Sequence, residues 1–263
     1  MSRKSSRYFC LRSSVVEQGF CKAQVASSNL VRGSHKIIIM ALESWFPTTI
    51  FYEDLEPPDE VHADMLRYVD EFYDEHKDKL KEPDNINITG DVHNDFLVHN
   101  NPVFYWLNQQ ISDACGVYLA AMGADISYLS VYAQKSWPVV CRRNNGSVGS
   151  HTHKNSILSA VYYLKSDDNG TGRLFFENPN PLLDEMALTF PNKSELNFTQ
   201  CHYTPVEKRL IIFPSNLEHS VEDYNGVQNR YSISYDLTVV AKQDSEKDNE
   251  FLITDPSLWG QLA

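Results

Sequence analysis

The stretch Ser150-His151-Thr152-His153-Lys154-Asn155-Ser156, with the apolar run 157–164 behind it, decides how this chain is read. Two imidazoles stand one residue apart at the mouth of a run with strand character. Residues i and i+2 of a strand point to one face, so His151 and His153 can converge on a point that a metal ion would fill. A third histidine, His219, follows the run Leu210-Ile211-Ile212-Phe213-Pro214. Arg230 comes eleven residues later and opens the alternating run Arg230-Tyr231-Ser232-Ile233-Ser234-Tyr235-Asp236. Three imidazoles suit Fe(II), which accepts nitrogen donors and keeps three further positions for other ligands. A lone histidine is more often structural than ligating. Two near ones, a distal one behind a Phe-Pro turn and a strand-borne arginine make a far more specific pattern.

Outward from this centre, short β runs alternate with turns from residue 126 onward: 126–134, 159–164, 173–177, 198–206, 209–213 and 230–240. Asp167-Asp168-Asn169-Gly170-Thr171-Gly172 is a strong turn signal. Residues 179–197 form a long excursion punctuated by Pro and Asn, of the kind that shapes binding sites. Upstream, residues 45–52 are aromatic and β-branched and predict a strand. Pro57-Pro58 opens a helix to about Lys81, with an apolar stripe of Val61, Met65, Val69 and Phe72. Asn101-Pro102 opens a second, with Val103, Leu107, Ile111, Ala114 or Cys115, and Tyr118 on one face, ending near Gly123. Helices first and many short strands after them predict a mainly β fold with flanking helices. The core over 126–241 is then a helix-flanked β-barrel or a double-sheet jelly roll. Residues 40–125 would pack on it, and 242–263 would form a tail.

The bulk numbers exclude several function classes. The chain has 263 residues and a formal net charge of −12, which argues against nucleic acid or anionic membrane as a partner, since phosphate-tracking surfaces need clustered Lys and Arg. No apolar stretch approaches the roughly 20 residues of a membrane span. Five cysteines, odd in number and without a CxxC, read as reduced thiols and point to a cytoplasmic setting. Residues 1–39 do not match the remainder. Residues 1–35 carry six basic side chains and one acid, net +5, against −17 for the rest. Residues 12–17 and 27–30 back-translate to sequences resembling the D-arm and T-loop of a transfer-RNA gene. The leader is therefore read as non-native, with Met40 as the native start; a disordered basic extension or an organelle presequence are the alternatives.

At His151-Thr152-His153, Val161-Tyr162-Tyr163-Leu164, Gly172-Arg173-Leu174-Phe175-Phe176, Leu210-Ile211-Ile212-Phe213-Pro214 and Arg230-Tyr231-Ser232, the chain resembles the Fe(II)/2-oxoglutarate-dependent oxygenases. It is most similar to their prolyl-hydroxylase-like branch and to a poorly characterised bacterial and phage group within it. The resemblance runs from about residue 126 to 240, and Trp45-Phe46-Pro47-Thr48 looks like the opening of the smaller group. It implies a jelly-roll, cupin-like double-stranded β-helix over 126–241, Fe(II) and 2-oxoglutarate, with His151 and His219 as iron ligands. Arg230 would hold the far carboxylate of 2-oxoglutarate, helped by Ser232 and by Tyr163, for which Tyr162 competes. A planar guanidinium does match a carboxylate through two parallel bonds. The family carries Asp or Glu where this chain has His153. Either His153 ligates, or a carboxylate such as Glu177 completes the set, or the site is impaired.

Trp137, Asn155 and His202, with Arg142 and Asn145, are candidates for the substrate mouth. His62, His76, His93 and His99 lack partners at ligand spacing. The resemblance implies a dioxygenase that hydroxylates a small molecule or peptide and releases succinate and CO2. Two other readings stay open: a cupin-type metalloenzyme that does not use 2-oxoglutarate, and a non-catalytic binding module on the same fold. Arg230-x-Ser232 argues against the cupin, as does the missing Glu after His-x-His.

Overall fold

Alternation of apolar and polar side chains is what turns the C-terminal half of the chain into sheet. In the computed structural model, residues 46–78, 87–143, 145–167, 170–180, 190–192, 194, 197–242 and 253–262 are described. Two compact units divide between Thr48 and Thr49; of the first, only residues 46–48 are described, and the fold is that of the second. Its elements are β1 (Phe51–Asp54), α1 (Asp59–His76), β2 (Asn87–Thr89), α2 (Tyr105–Ala121), β3 (Leu129–Cys141), β4 (Gly146–His151), β5 (Leu158–Lys165), β6 (Leu174–Glu177), β7 (Gln200–Tyr203), β8 (Arg209–Pro214), β9 (His219–Tyr224) and β10 (Arg230–Ala241). Six strands form one sheet in the order β1-β8-β5-β10-β3-β2, and four form another in the order β4-β9-β6-β7. Every pairing within them is antiparallel. This is a mainly β, jelly-roll arrangement with flanking helices.

Period two assigns each side chain to one of two cores. On β10, Tyr231, Ile233, Tyr235 and Leu237 join Ala160, Tyr162 and Leu164 of β5 and Leu210 and Ile212 of β8 on the outer face of the large sheet. Met65, Val69 and Phe72 of α1 and Leu107, Ile111, Cys115 and Tyr118 of α2 cover that face. Each such side chain contributes roughly 1.5–3 kcal/mol by leaving water. The inner face carries Tyr163, Ile211 and Phe213, which meet Leu174 and Phe176 of the small sheet. β10 is tied to both helices from outside: Tyr231 Oη donates to Asp70 Oδ1 at 2.7 Å and Tyr235 Oη to Asn108 Oδ1 at 3.0 Å.

Several boundaries differ from the sequence reading. The strand expected over 45–52 is β1 at Phe51–Asp54. It is held by its pairing with β8 and by the two-bond ion pair of Arg209 with Asp54 (2.6 and 2.8 Å). The helix expected to reach Lys81 stops at His76, where Lys77 N donates to Tyr73 O. At Asn101-Pro102 a 3-10 turn comes first, with Asn101 Oδ1 accepting from Val103 N, and α2 follows from Tyr105. β3 runs on to Cys141, past the expected end at Gln134 and through Pro138. Gly90 lies against the Pro138 ring, where a Cβ would come within 2.6 Å of Pro138 Cδ, so that position has room for glycine alone. β9 was not anticipated, since its sequence HSVEDY is mostly polar.

The leader 1–39, Met40, Trp45, Lys81 and most of the 179–197 excursion lie outside the described residues. Cys115, Cys141 and Cys201 are free thiols, and burial pushes Cys115 up to about 12. Among the described residues no helix is long and apolar enough to cross a membrane.

Candidate metal centre and its cavity

His151 and His219 are direct partners across the β4–β9 pair, the last residue of one strand facing the first of the other. His153 does not open β5, as the sequence had suggested. It lies in the crossover between the two sheets, and its backbone N–H donates to Ser215 O at 2.9 Å. Ser215 also bonds Ser159 Oγ at 2.9 Å, and its N–H donates to Ile157 O at 3.0 Å. The turn before His219 therefore positions both distant histidines. Among the described residues, His151, His153 and His219 form the one group with metal-binding geometry, their candidate ligand atoms all within 4.8 Å of one another.

Hydrogen bonds set the tautomers. His151 Nδ1 lies 2.8 Å from Gly149 O, and His219 Nδ1 lies 2.8 Å from Leu217 O. A carbonyl only accepts, so both Nδ1 atoms carry the proton and both Nε2 atoms present a lone pair. His153 Nδ1 lies 2.5 Å from Asp236 Oδ1, with the same consequence. Nε2 of His153 and Nε2 of His151 are 3.2 Å apart. Three lone pairs aimed at one another repel unless a cation sits between them, so this donor set fits a metal ion. Burial holds His219 largely unprotonated: desolvation, with the charges of His151 and His153, outweighs the Leu217 bond and Asp236 and lowers its pKa to about 4. Trp137, buried, stacks on His153 with 5.9 Å between ring centroids and 19° between planes.

The histidines open on a cavity of about 610 Å³ between the sheets. Arg230, Ser232, Ser234 and Asp236 line it from one face of β10, as their spacing requires. Arg230 is 2% exposed. Its guanidinium lies between the rings of Tyr163 (5.5 Å) and Tyr224 (5.4 Å), and Nη1 donates to Gly172 O at 2.5 Å. Its Nε has no partner, and among the described residues no carboxylate pairs with it. A buried guanidinium without an anion is costly, and a carboxylate entering the cavity would supply what is missing. Tyr163 lines this cavity, whereas Tyr162 belongs to the helix-side core.

Of the remaining candidates, Trp137 and Asn155 line the cavity. His202, Glu177, Arg142 and Asn145 do not. His202 is exposed on β7 beside Arg173 and Phe175. Glu177 is near Gln200 on the strand whose preceding residue, Phe176, turns toward His219. Asp236 and Ser234 were overlooked as site residues. Their signal was the period of two from Arg230 onward.

Residues 135–236 match a family described as "Putative 2OG-Fe(II) oxygenase". No curated protein matches the chain by sequence. Among solved structures, the chain resembles AviO1 from Streptomyces viridochromogenes Tue57 (10% identity, TM-score 0.50), covering 76% of this chain and 93% of that one. It also resembles iron-bound EctD from S. alaskensis (14% identity, TM-score 0.50), covering 73% of each chain. It spans 59% of the length of a 2OG-Fe(II) oxygenase from Burkholderia pseudomallei, with 53% of this chain covered, 12% identity and a TM-score of 0.38. At these identities the structural likeness is one of fold, and the family likeness rests on residues 135–236. Through that segment, which holds all three converging histidines and Arg230, the chain is similar to the 2OG-Fe(II) oxygenases.

Proposed function

We propose that His151, His153 and His219 hold Fe(II) through Nε2, that Arg230, Ser232 and Tyr163 hold 2-oxoglutarate, and that a small molecule or peptide is hydroxylated at the cavity mouth. The observation that carries this reading is the pairing, in one cavity, of three converging imidazole lone pairs with a buried arginine that lacks an anion. When bound, iron and 2-oxoglutarate supply the oxidising chemistry, which releases succinate and CO2 as the substrate is hydroxylated.

The chain's own contribution is placement and exclusion of water. Nδ1 bonds to Gly149, Leu217 and Asp236 aim the ligands. Arg230, whose Nε has no partner, would hold the far carboxylate of 2-oxoglutarate, and the Ser232 hydroxyl would be a further donor on the same strand face. The rings of Tyr163 and Tyr224 keep that end dry, which strengthens the charge pairing. The iron-bound EctD structure shows that a protein of this fold holds the metal.

The test is an anaerobic titration with Fe(II) and then 2-oxoglutarate, following the metal-to-ligand charge-transfer band, alongside succinate release in air. Wild type is expected to show the band, with succinate release dependent on both additions. Arg230→Ala should weaken 2-oxoglutarate binding by about 30-fold or more, since truncating one side of a buried charge pair costs roughly 2–5 kcal/mol. A band of wild-type strength in both Arg230→Ala and His219→Ala would remove these residues from the site. Metal binding without any 2-oxoglutarate response would favour the cupin alternative.

A further inference from the structure

The three-histidine set holds no carboxylate of its own, yet a carboxylate stands immediately behind His153. Asp236 Oδ1 accepts from His153 Nδ1 at 2.5 Å, and the two side chains are 13% and 14% exposed. We propose that Asp236 is a positioning residue of the metal centre, which fixes the tautomer and ring plane of His153 and raises the donor strength of its Nε2. A negative charge thereby stands one hydrogen bond behind the metal-facing nitrogen. This inference rests on the reading of His151, His153 and His219 as ligands.

Three features of the fold support it. Asp236 sits where the β10–β3 register shifts, with Asp236 opposite Lys135 and Leu237 opposite Ala133, so that Gln134 is the extra residue. Such bulges re-aim side chains, and they gather beside active sites. On the far side of His153, Trp137 stacks on the ring, so the imidazole is held at its edge by Asp236 and on its face by an indole. Finally, the other two rings bond neutral carbonyls, Gly149 O and Leu217 O. Of the three rings, only that of His153 has an anion behind it. A carboxylate bonded to a ligating imidazole raises its basicity and fixes its orientation.

The experiment measures Fe(II) affinity anaerobically, without 2-oxoglutarate, in wild type, Asp236→Asn, His153→Ala and the double variant, with apo melting temperatures as a control. Asp236→Asn is expected to bind Fe(II) about 10- to 100-fold more weakly, the usual cost of losing such a partner. In the His153→Ala background it should cost nothing further, because its effect passes through that ring. Unchanged affinity, or an equal loss in both backgrounds, would overturn the proposal. A second readout needs no variant: in Zn(II)-loaded wild type, the His153 Nδ1 proton should be a far-downfield, slowly exchanging resonance, and its absence would equally count against it. His219→Ala separates the two levels. If it binds Fe(II) like wild type, the three-histidine reading fails; if it loses the metal while Asp236→Asn keeps it, only the role of Asp236 fails.

Discussion

Gly172 and Arg230 are in such close contact that no side chain fits between them. A Cβ on Gly172 would lie 2.6 Å from Arg230 Nη1 and 2.9 Å from Tyr224 Cδ2, and its carbonyl accepts from the same guanidinium. The residue also has φ +70°, where L side chains are strained. The glycine that opens the motif Gly172-Arg173-Leu174-Phe175-Phe176 is thus explained by the arginine it cradles.

Gly172→Ala should therefore act on 2-oxoglutarate and spare the metal. Backbone strain costs of order 1–3 kcal/mol, and the displaced guanidinium should lower 2-oxoglutarate affinity about 10-fold or more. Fe(II) affinity measured alone should match wild type. Calorimetric titration of each ligand in turn checks this, and a variant with normal 2-oxoglutarate binding would refute it.

Tyr162 and Tyr163 were rivals in the sequence, and strand alternation separates them. Tyr163 lies over Arg230 in the cavity, while Tyr162 is fully buried among the helices with its hydroxyl unpartnered. Tyr162→Phe removes an unsatisfied polar group, so stability should stay level or rise by about 1 kcal/mol, with activity unchanged. Tyr163→Phe should instead raise the 2-oxoglutarate concentration needed for half-maximal succinate release. Chemical denaturation and a succinate assay on both variants decide it, and equal effects from the two would contradict the assignment of faces.

What could be read in advance follows from which forces are local. The stripes of α1 and α2 and the alternation of β10 are short-range patterns, and they located the cores and Arg230. The partner of His153 is 83 residues away, so nothing near His153 announced Asp236. Glu177 was a reasonable candidate by residue type, but its neighbour Phe176 takes the face toward His219. His202 sits on β7, exposed from Gln200 to His202, where alternation carries no information. β9 escaped notice because His219, its buried first residue, looks polar in sequence.

His219 gives the apo protein a pH dependence of defined sign. Its pKa lies at about 4, down from 6.5, chiefly through burial. Between those values the unfolded chain takes up a proton that the folded chain refuses, so stability increases with pH across the window. The contribution is fully present above 6.5 and is lost as pH falls toward 4, amounting to about 3 kcal/mol at roughly 1.4 kcal/mol per pH unit. His219→Gln keeps the size of the side chain and removes the titration. Guanidinium unfolding of both metal-free proteins from pH 4 to 7 should show a shallower slope in the variant, and parallel slopes would mean that His219 is not buried in its neutral form.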